Sequence, residues 1–265
     1  MRLIFALSLC FGFVFAKINL AVTIIPQYSI LKDITKDRAN ILLVVDSLSD
    51  PHSYEPKPSL ISALLKTQLY FAIGASFEQK WLKKFQNINP NMKIVDTSQG
   101  VQKLANLNPH IWTTPKNIKI IATNIYNALI KIDPKNQEFY KQNLQILLNR
   151  ANKIDQQIKK ILSSCKDRCK FISQHPAWSY FAKEYNLVEI VIEKDEKEPK
   201  IRDIIKLIKL AKKRNIHLIL TQPELPDKSA KLIAKELNAK LVKISPLDKN
   251  WDLNLINLAK IIANE

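Results

Sequence analysis

Residues Asn136 to Leu162 read NQEFYKQNLQILLNRANKIDQQIKKIL, and the whole architecture is best read outward from them. Phe139, Leu144, Leu147, Ile154, Ile158 and Ile161 recur at helical spacing, with polar residues between them. No proline or glycine interrupts the run, so it predicts one helix of nearly 30 residues, roughly 40 Å long at 1.5 Å per residue. Such a helix is longer than one small domain needs. Its apolar positions keep no strict heptad, so a strut between two domains fits better than a coiled coil. Pro134 separates it from a preceding helix, Asn117 to Ile132, with Ile118, Ile121, Ile125, Leu129 and Ile132 on one side.

On either side of this region, strands alternate with helices. Before it, Ile18 to Ile25, Ile41 to Val45, Leu69 to Ile73 and Lys93 to Val95 read as strands, with helices between them. After it, strands are expected at Lys170 to Ser173, Leu187 to Ile192, Ile216 to Leu220 and Leu241 to Ile244, again with helices between them. That alternation implies parallel sheets covered on both faces. The expected fold is α/β: two parallel-sheet lobes, 17–133 and 165–265, joined by one long rigid helix, 134–164.

The first 16 residues read as a secretory signal peptide: a positive start at Arg2, an apolar run from Leu3 to Phe15, and a small-residue site ending at Ala16. The run is too short for a membrane span of ~20 residues. Cys10 raises a lipoprotein anchor, but Leu9 stands before it where a small residue is expected. Export and a soluble mature chain are therefore the expectation. Cys165 and Cys169 remain after removal of this segment. An oxidising compartment and a short spacing at a helix end favour a local disulfide over free thiols.

Composition excludes some functions. The chain of 265 residues has only three glycines and lacks both G-x-G-x-x-G and a Walker A sequence, which argues against a nucleotide-binding enzyme. The net charge of +17 comes from lysines scattered over amphipathic helices rather than gathered in one arm. No nucleic-acid partner is expected from it; attraction to anionic headgroups stays open.

Three of the four histidines share a context. His52 follows the second strand, His110 sits in Asn108-Pro109-His110-Ile111-Trp112, and His175 follows the strand Lys170 to Ser173. Ligands of open parallel sheets bind at the carboxyl ends of the strands. His52 and His175 lie on such loops, one in each half, and His110 lies near the junction. The three are expected to converge in the cleft between the lobes. Three neutral imidazoles with an open or water-filled fourth position make a sensible Zn²⁺ site. The gaps of about 60 residues match no short zinc-finger spacing. His217 lacks the proline and aromatic neighbours and reads as a solvated side chain. Trp112 and Trp178 read equally well as walls of the site and as core aromatics.

The stretches Asp50-Pro-His-Ser-Tyr-Glu-Pro-Lys-Pro-Ser59, Asn108-Pro-His-Ile-Trp112 and His175-Pro-Ala-Trp-Ser-Tyr-Phe-Ala182 resemble the zinc-binding members of the metal solute-binding family of ABC importers, the ZnuA/TroA-like proteins. Ile132 to Asn143 resembles the start of that family's long connecting helix, and Glu198-Pro199 and Gln222-Pro223-Glu224 match weaker positions. The resemblance implies a monomer that captures Zn²⁺ in the periplasm and delivers it to the membrane permease of an ABC transporter, with no enzymatic activity. It places the metal on His52, His110 and His175. Manganese-binding relatives have a glutamate at the third position, so His175 favours zinc over manganese or iron. Many relatives also have an aspartate after the last strand. Ser245 stands there in this chain, so water or Asp248 is expected to complete the site, while Glu55 reads as structural. Two competing functions are a surface adhesin and a zinc hydrolase, the latter needing Glu55 or Asp248 as general base.

Overall fold

A computed structural model describes residues 17–46, 49–104, 108–165, 169–193 and 199–264. The signal-peptide reading of residues 1–16, Cys10 included, and Glu198 of the weaker family match lie outside the described residues. The first half runs β1 (Ile18–Val22), α1 (Ile25–Thr35), β2 (Ala39–Leu43), α2 (Pro58–Leu64), β3 (Leu69–Ala72), α3 (Ser76–Ile88) and β4 (Lys93–Asp96). Two helices follow, α4 (Pro115–Ile132) and α5 (Gln137–Leu162). The second half runs β5 (Lys170–Ser173), α6 (Ser179–Glu184), β6 (Val188–Val191), α7 (Ile201–Lys213), β7 (Leu218–Thr221), α8 (Lys228–Leu237), β8 (Lys240–Lys243) and α9 (Trp251–Ala263).

Each half forms a four-stranded, all-parallel sheet, ordered β2-β1-β3-β4 and β6-β5-β7-β8. The two orders are the same topology used twice. In each, the chain steps outward once and then crosses back over its first strand. The strand order therefore reverses beside β1 in one sheet and beside β5 in the other. Loops diverge at such a point and leave a crevice at the carboxyl ends of the strands. The α/β reading with two parallel sheets and a long helix between them therefore holds. Strand and helix ends differ from the sequence reading by a few residues, as at β1, which ends at Val22 rather than Ile25. The Thr23 carbonyl still accepts from the Val45 amide at 3.0 Å, but the amides of Thr23 and Ile24 turn to the side chain of Gln27 at the start of α1.

Helix α5 buries Tyr140, Leu144, Leu147, Ala151, Ile154, Ile158 and Leu162. Phe139 and Ile161 are only partly buried, so the inward stripe is rotated slightly from the one expected. Pro134 opens a short 3₁₀ turn between α4 and α5, and the Tyr140 hydroxyl donates to Asp133 Oδ2 across it at 2.6 Å. α5 packs on α4, on α1 of the first half and on α9 of the second. Arg150, halfway along, ion-pairs with Asp33 of α1, lies 3.5 Å from Asp252 of α9, and covers the Trp251 ring at 5.2 Å. One apolar cluster accordingly runs through both halves, from Ile30 and Leu31 through Ile121, Leu147 and Ile158 to Trp178, Leu255 and Leu258. A disulfide joins Cys165 and Cys169, with Cα atoms 5.2 Å apart, between α5 and β5. Among the described residues, no helix is long and apolar enough to cross a membrane.

The inward face of α5 makes a direct prediction. Ile158 is fully buried, whereas Ile146 on the same helix is 65% exposed. Ile158→Ala should lower the free energy of urea unfolding by about 2–5 kcal/mol, through lost transfer energy and an unfilled cavity. Ile146→Ala should change it by no more than about 0.5 kcal/mol.

Candidate metal centre

His52 reaches the inter-lobe crevice from the loop after β2. Asp50 shapes that loop: its carboxylate accepts from the His52 amide at 2.9 Å and from the Ser53 hydroxyl at 3.0 Å. The His52 Nδ1 lies 2.8 Å from Oγ of Ser76, the first residue of α3. Ser76 is itself fixed from behind. The buried Glu78 carboxylate accepts from the amides of Ile73 and Gly74 at 3.0 and 2.7 Å, closing the turn from β3 into α3. Gly74 has φ +89°, a conformation that costs a residue without Cβ little.

His110 comes from the segment before α4, and Asn108 positions it twice. The Asn108 Oδ1 accepts from the His110 amide at 2.9 Å and lies 2.8 Å from its Nδ1. The Asn108 amide group donates to the Pro176 carbonyl at 2.7 Å, one residue beyond the third histidine. Tyr180 adds a hydrogen bond to the Asn108 carbonyl at 2.9 Å. One asparagine thus ties the second ligand loop to the third across the lobes.

His175 follows β5, at the point where the second strand order reverses. Its Nδ1 lies 2.8 Å from the Glu193 carboxylate. Glu193 stands just past β6, the neighbour of β5. The amides of Ile192 and Glu193 continue the ladder onto Ser173 and Gln174, which sets Glu193 beside His175. The His175 Nε2 is buried and has no hydrogen-bond partner.

Ring centroids of the three histidines are 5.9 Å apart for His52–His110 and 4.9 Å for each of the other two pairs. One nitrogen from each ring lies within 4.8 Å of the others. Zinc–nitrogen bonds of about 2.0–2.1 Å in tetrahedral geometry require nitrogens ~3.3 Å apart, a small closure from this arrangement. Each Nδ1 is engaged by a serine, an asparagine or a glutamate. The three therefore share one pattern, in which the outer nitrogen fixes the ring's orientation. Beside His52 and His110 lies a cavity of about 20 Å³, walled also by Trp112, Glu224 and Leu247.

Other expected site residues fall elsewhere. Asp248 is exposed, and its Oδ1 accepts from the Asn250 amide at 2.8 Å. The structure does not bring it to the three histidines. The loop after β8 turns Ser245 inward instead, where its hydroxyl donates to Glu224 and accepts from the Leu247 amide. Glu55 is exposed and pairs with Lys80. Both general bases of the hydrolase reading thus stand away from the ring cluster. His217 is exposed and bonds Asn215, as a solvated side chain does. Trp112 walls the cavity, lies tilted against His110 with ring centroids 5.2 Å apart, and donates from its indole nitrogen to the Pro246 carbonyl. Trp178 is a core aromatic. Sequence reasoning missed Ser76 and Glu193 as the residues that orient rings. Only the adjacency of β5 and β6 reveals Glu193.

Burial, then the proximity of His175 and His52, holds the His110 imidazole well below its ordinary pKa of 6.5. In the unfolded chain the same imidazole protonates near its ordinary value, so below that pH the unfolded state binds more protons. The ion-free protein should therefore lose unfolding free energy as pH falls below about 6.5. A His110→Gln variant should show a flatter profile in a series of urea titrations.

Comparisons with known proteins agree with this geometry. The family described as ZnuA, zinc-uptake complex component A, periplasmic, matches residues 20–254. A protein of Chlamydia muridarum named as a putative metal-binding protein is 26% identical, with both chains fully covered. The high-affinity zinc uptake system protein ZnuA of Bacillus subtilis is 25% identical, over 88% of this chain and 79% of its own length. A crystal structure of ZnuA superimposes with TM-score 0.90 and 37% identity, covering 94% of this chain and 99% of that one. Solute-binding proteins of metal ABC importers, and not enzymes, make up this family. With three imidazoles gathered between two like lobes, the chain belongs to the ZnuA family of periplasmic metal-binding proteins.

Proposed function

We propose that the chain captures Zn²⁺ through Nε2 of His52, His110 and His175, and delivers it from the periplasm to the membrane permease of a zinc ABC importer. The observation that carries this reading is the all-nitrogen ligand set on pre-oriented, largely buried rings. Imidazole suits zinc, whereas manganese and calcium favour oxygen ligands. The Bacillus subtilis relative that is named for zinc uptake supports the same choice. Glu193 adds to it: its carboxylate beside Nδ1 fixes the ring of His175 so that Nε2 is left for the ion.

The binding step requires little rearrangement. The ligand loops are already tied together through Asn108, and α5 holds both halves on one core. Capture consists of stripping water from the ion and drawing three nitrogens slightly inward.

Protein expressed without chelator should carry one zinc per chain by elemental analysis. His52→Ala, His110→Ala and His175→Ala should each abolish or sharply reduce that content. Zinc at 100 times Kd should stabilise the parent by ~2.7 kcal/mol, and the variants by much less. Retention of manganese or iron in place of zinc, or variants that load like the parent, would overturn the assignment.

A further inference from the structure

Three neutral imidazoles leave the full double charge of the cargo uncompensated among largely buried rings, and such a charge is costly to bury without a counter-charge. Among the described residues, several carboxylates stand near the rings, and all but one are committed elsewhere. Glu189, beside His175, accepts from the hydroxyls of Ser173 and Ser179. Asp50 is taken up by the His52 amide and the Ser53 hydroxyl. Glu193 is held on His175 Nδ1, on the far side of the ring from the ion. Asp248 is exposed and bound to the Asn250 amide.

The exception is Glu224, on the loop after β7. It walls the small cavity beside His52 and His110, and also the open cleft of about 750 Å³ between the lobes. Its Oε1 accepts from Ser245, while its Oε2 is buried with no hydrogen-bond partner. An unpartnered buried carboxylate oxygen is expensive and calls for a cation or donor that completes it. Glu224 is turned toward Ser245 and stands outside the group of ring nitrogens. It lines the same cavity as His52 and His110.

We infer that Glu224 supplies the fourth ligand to the bound ion, with Ser245 as the residue that holds its carboxylate in position. This rests on the three-histidine reading above. Ser245 thereby acquires a new role, because its hydroxyl replaces no ligand itself but aims one from the neighbouring loop.

The test compares the parent, Glu224→Gln, Ser245→Ala and His110→Ala, each as the full mature chain. Zn²⁺ affinity is read by competition with a chromophoric chelator, and coordination by the visible d–d absorption of the Co²⁺-loaded protein. Glu224→Gln is isosteric and removes only the charge. It should keep one ion per chain but bind about 10–100-fold more weakly, the usual scale for loss of a supporting group at a metal site. Its Co²⁺ spectrum should change shape. Ser245→Ala should shift both readouts in the same direction by less, and it carries the test if Glu224→Gln fails to fold. An affinity within twofold of the parent and an unaltered Co²⁺ spectrum, with His110→Ala still defective, would overturn the role of Glu224 and leave the three-histidine site standing. Parent-like binding by His110→Ala would instead remove the site on which this inference rests.

Discussion

The distance between the two sheets is set by one element, and everything at their interface follows from it. α5 presents an almost continuous apolar stripe, from Tyr140 to Leu162, to helices of both halves. Separating the halves would expose that stripe to water at roughly 25 cal/mol for each Å² uncovered. Arg150 adds an ionic cross-link at the midpoint, touching α1 and α9 at once. Large hinge bending is therefore costly in this chain, and the crevice keeps nearly fixed dimensions. Three side chains from loops far apart in sequence meet within a few ångströms because their platforms do not drift.

A fixed crevice also permits a dry one. His110 and His175 are buried, and for His110 burial favours the uncharged imidazole, the only form with a lone pair for a metal. The cost of burying a ring is kept low by satisfying its outer nitrogen. Asn108 does this for His110, Glu193 for His175 and Ser76 for His52. These three residues differ in chemistry but orient their rings in the same way. Asn108 has a second role, since its amide group reaches the Pro176 carbonyl and so locks two ligand loops in register.

Much of this was legible in the sequence, for reasons that differ by residue. The strands and helices were visible because apolar spacing reports burial directly, and β5 falls on the residues expected. The convergence of the histidines was legible because the carboxyl ends of parallel strands gather ligands wherever the strand order reverses. Glu193 was not legible, because its place beside His175 depends on which strand neighbours β5. The fate of the loop after β8 was equally hidden. Charge suggested Asp248 as a ligand, but the loop gives it to solvent and turns the neutral Ser245 inward against Glu224. Nothing local in Ser245-Pro246-Leu247-Asp248 encodes that choice; it depends on packing against the β7 loop.

The narrowness of the cavity beside His52 and His110 has a consequence of its own. About 20 Å³ admits one particle the size of a water molecule. A divalent cation surrounded by its inner hydration sphere is several times larger, so the site favours an ion that gives up its water readily. Magnesium surrenders its waters reluctantly and demands an octahedron of oxygens, which three imidazoles do not supply. Dehydration and the chemistry of nitrogen thus act together: a cation that clings to its water finds nothing at these rings that offsets its loss.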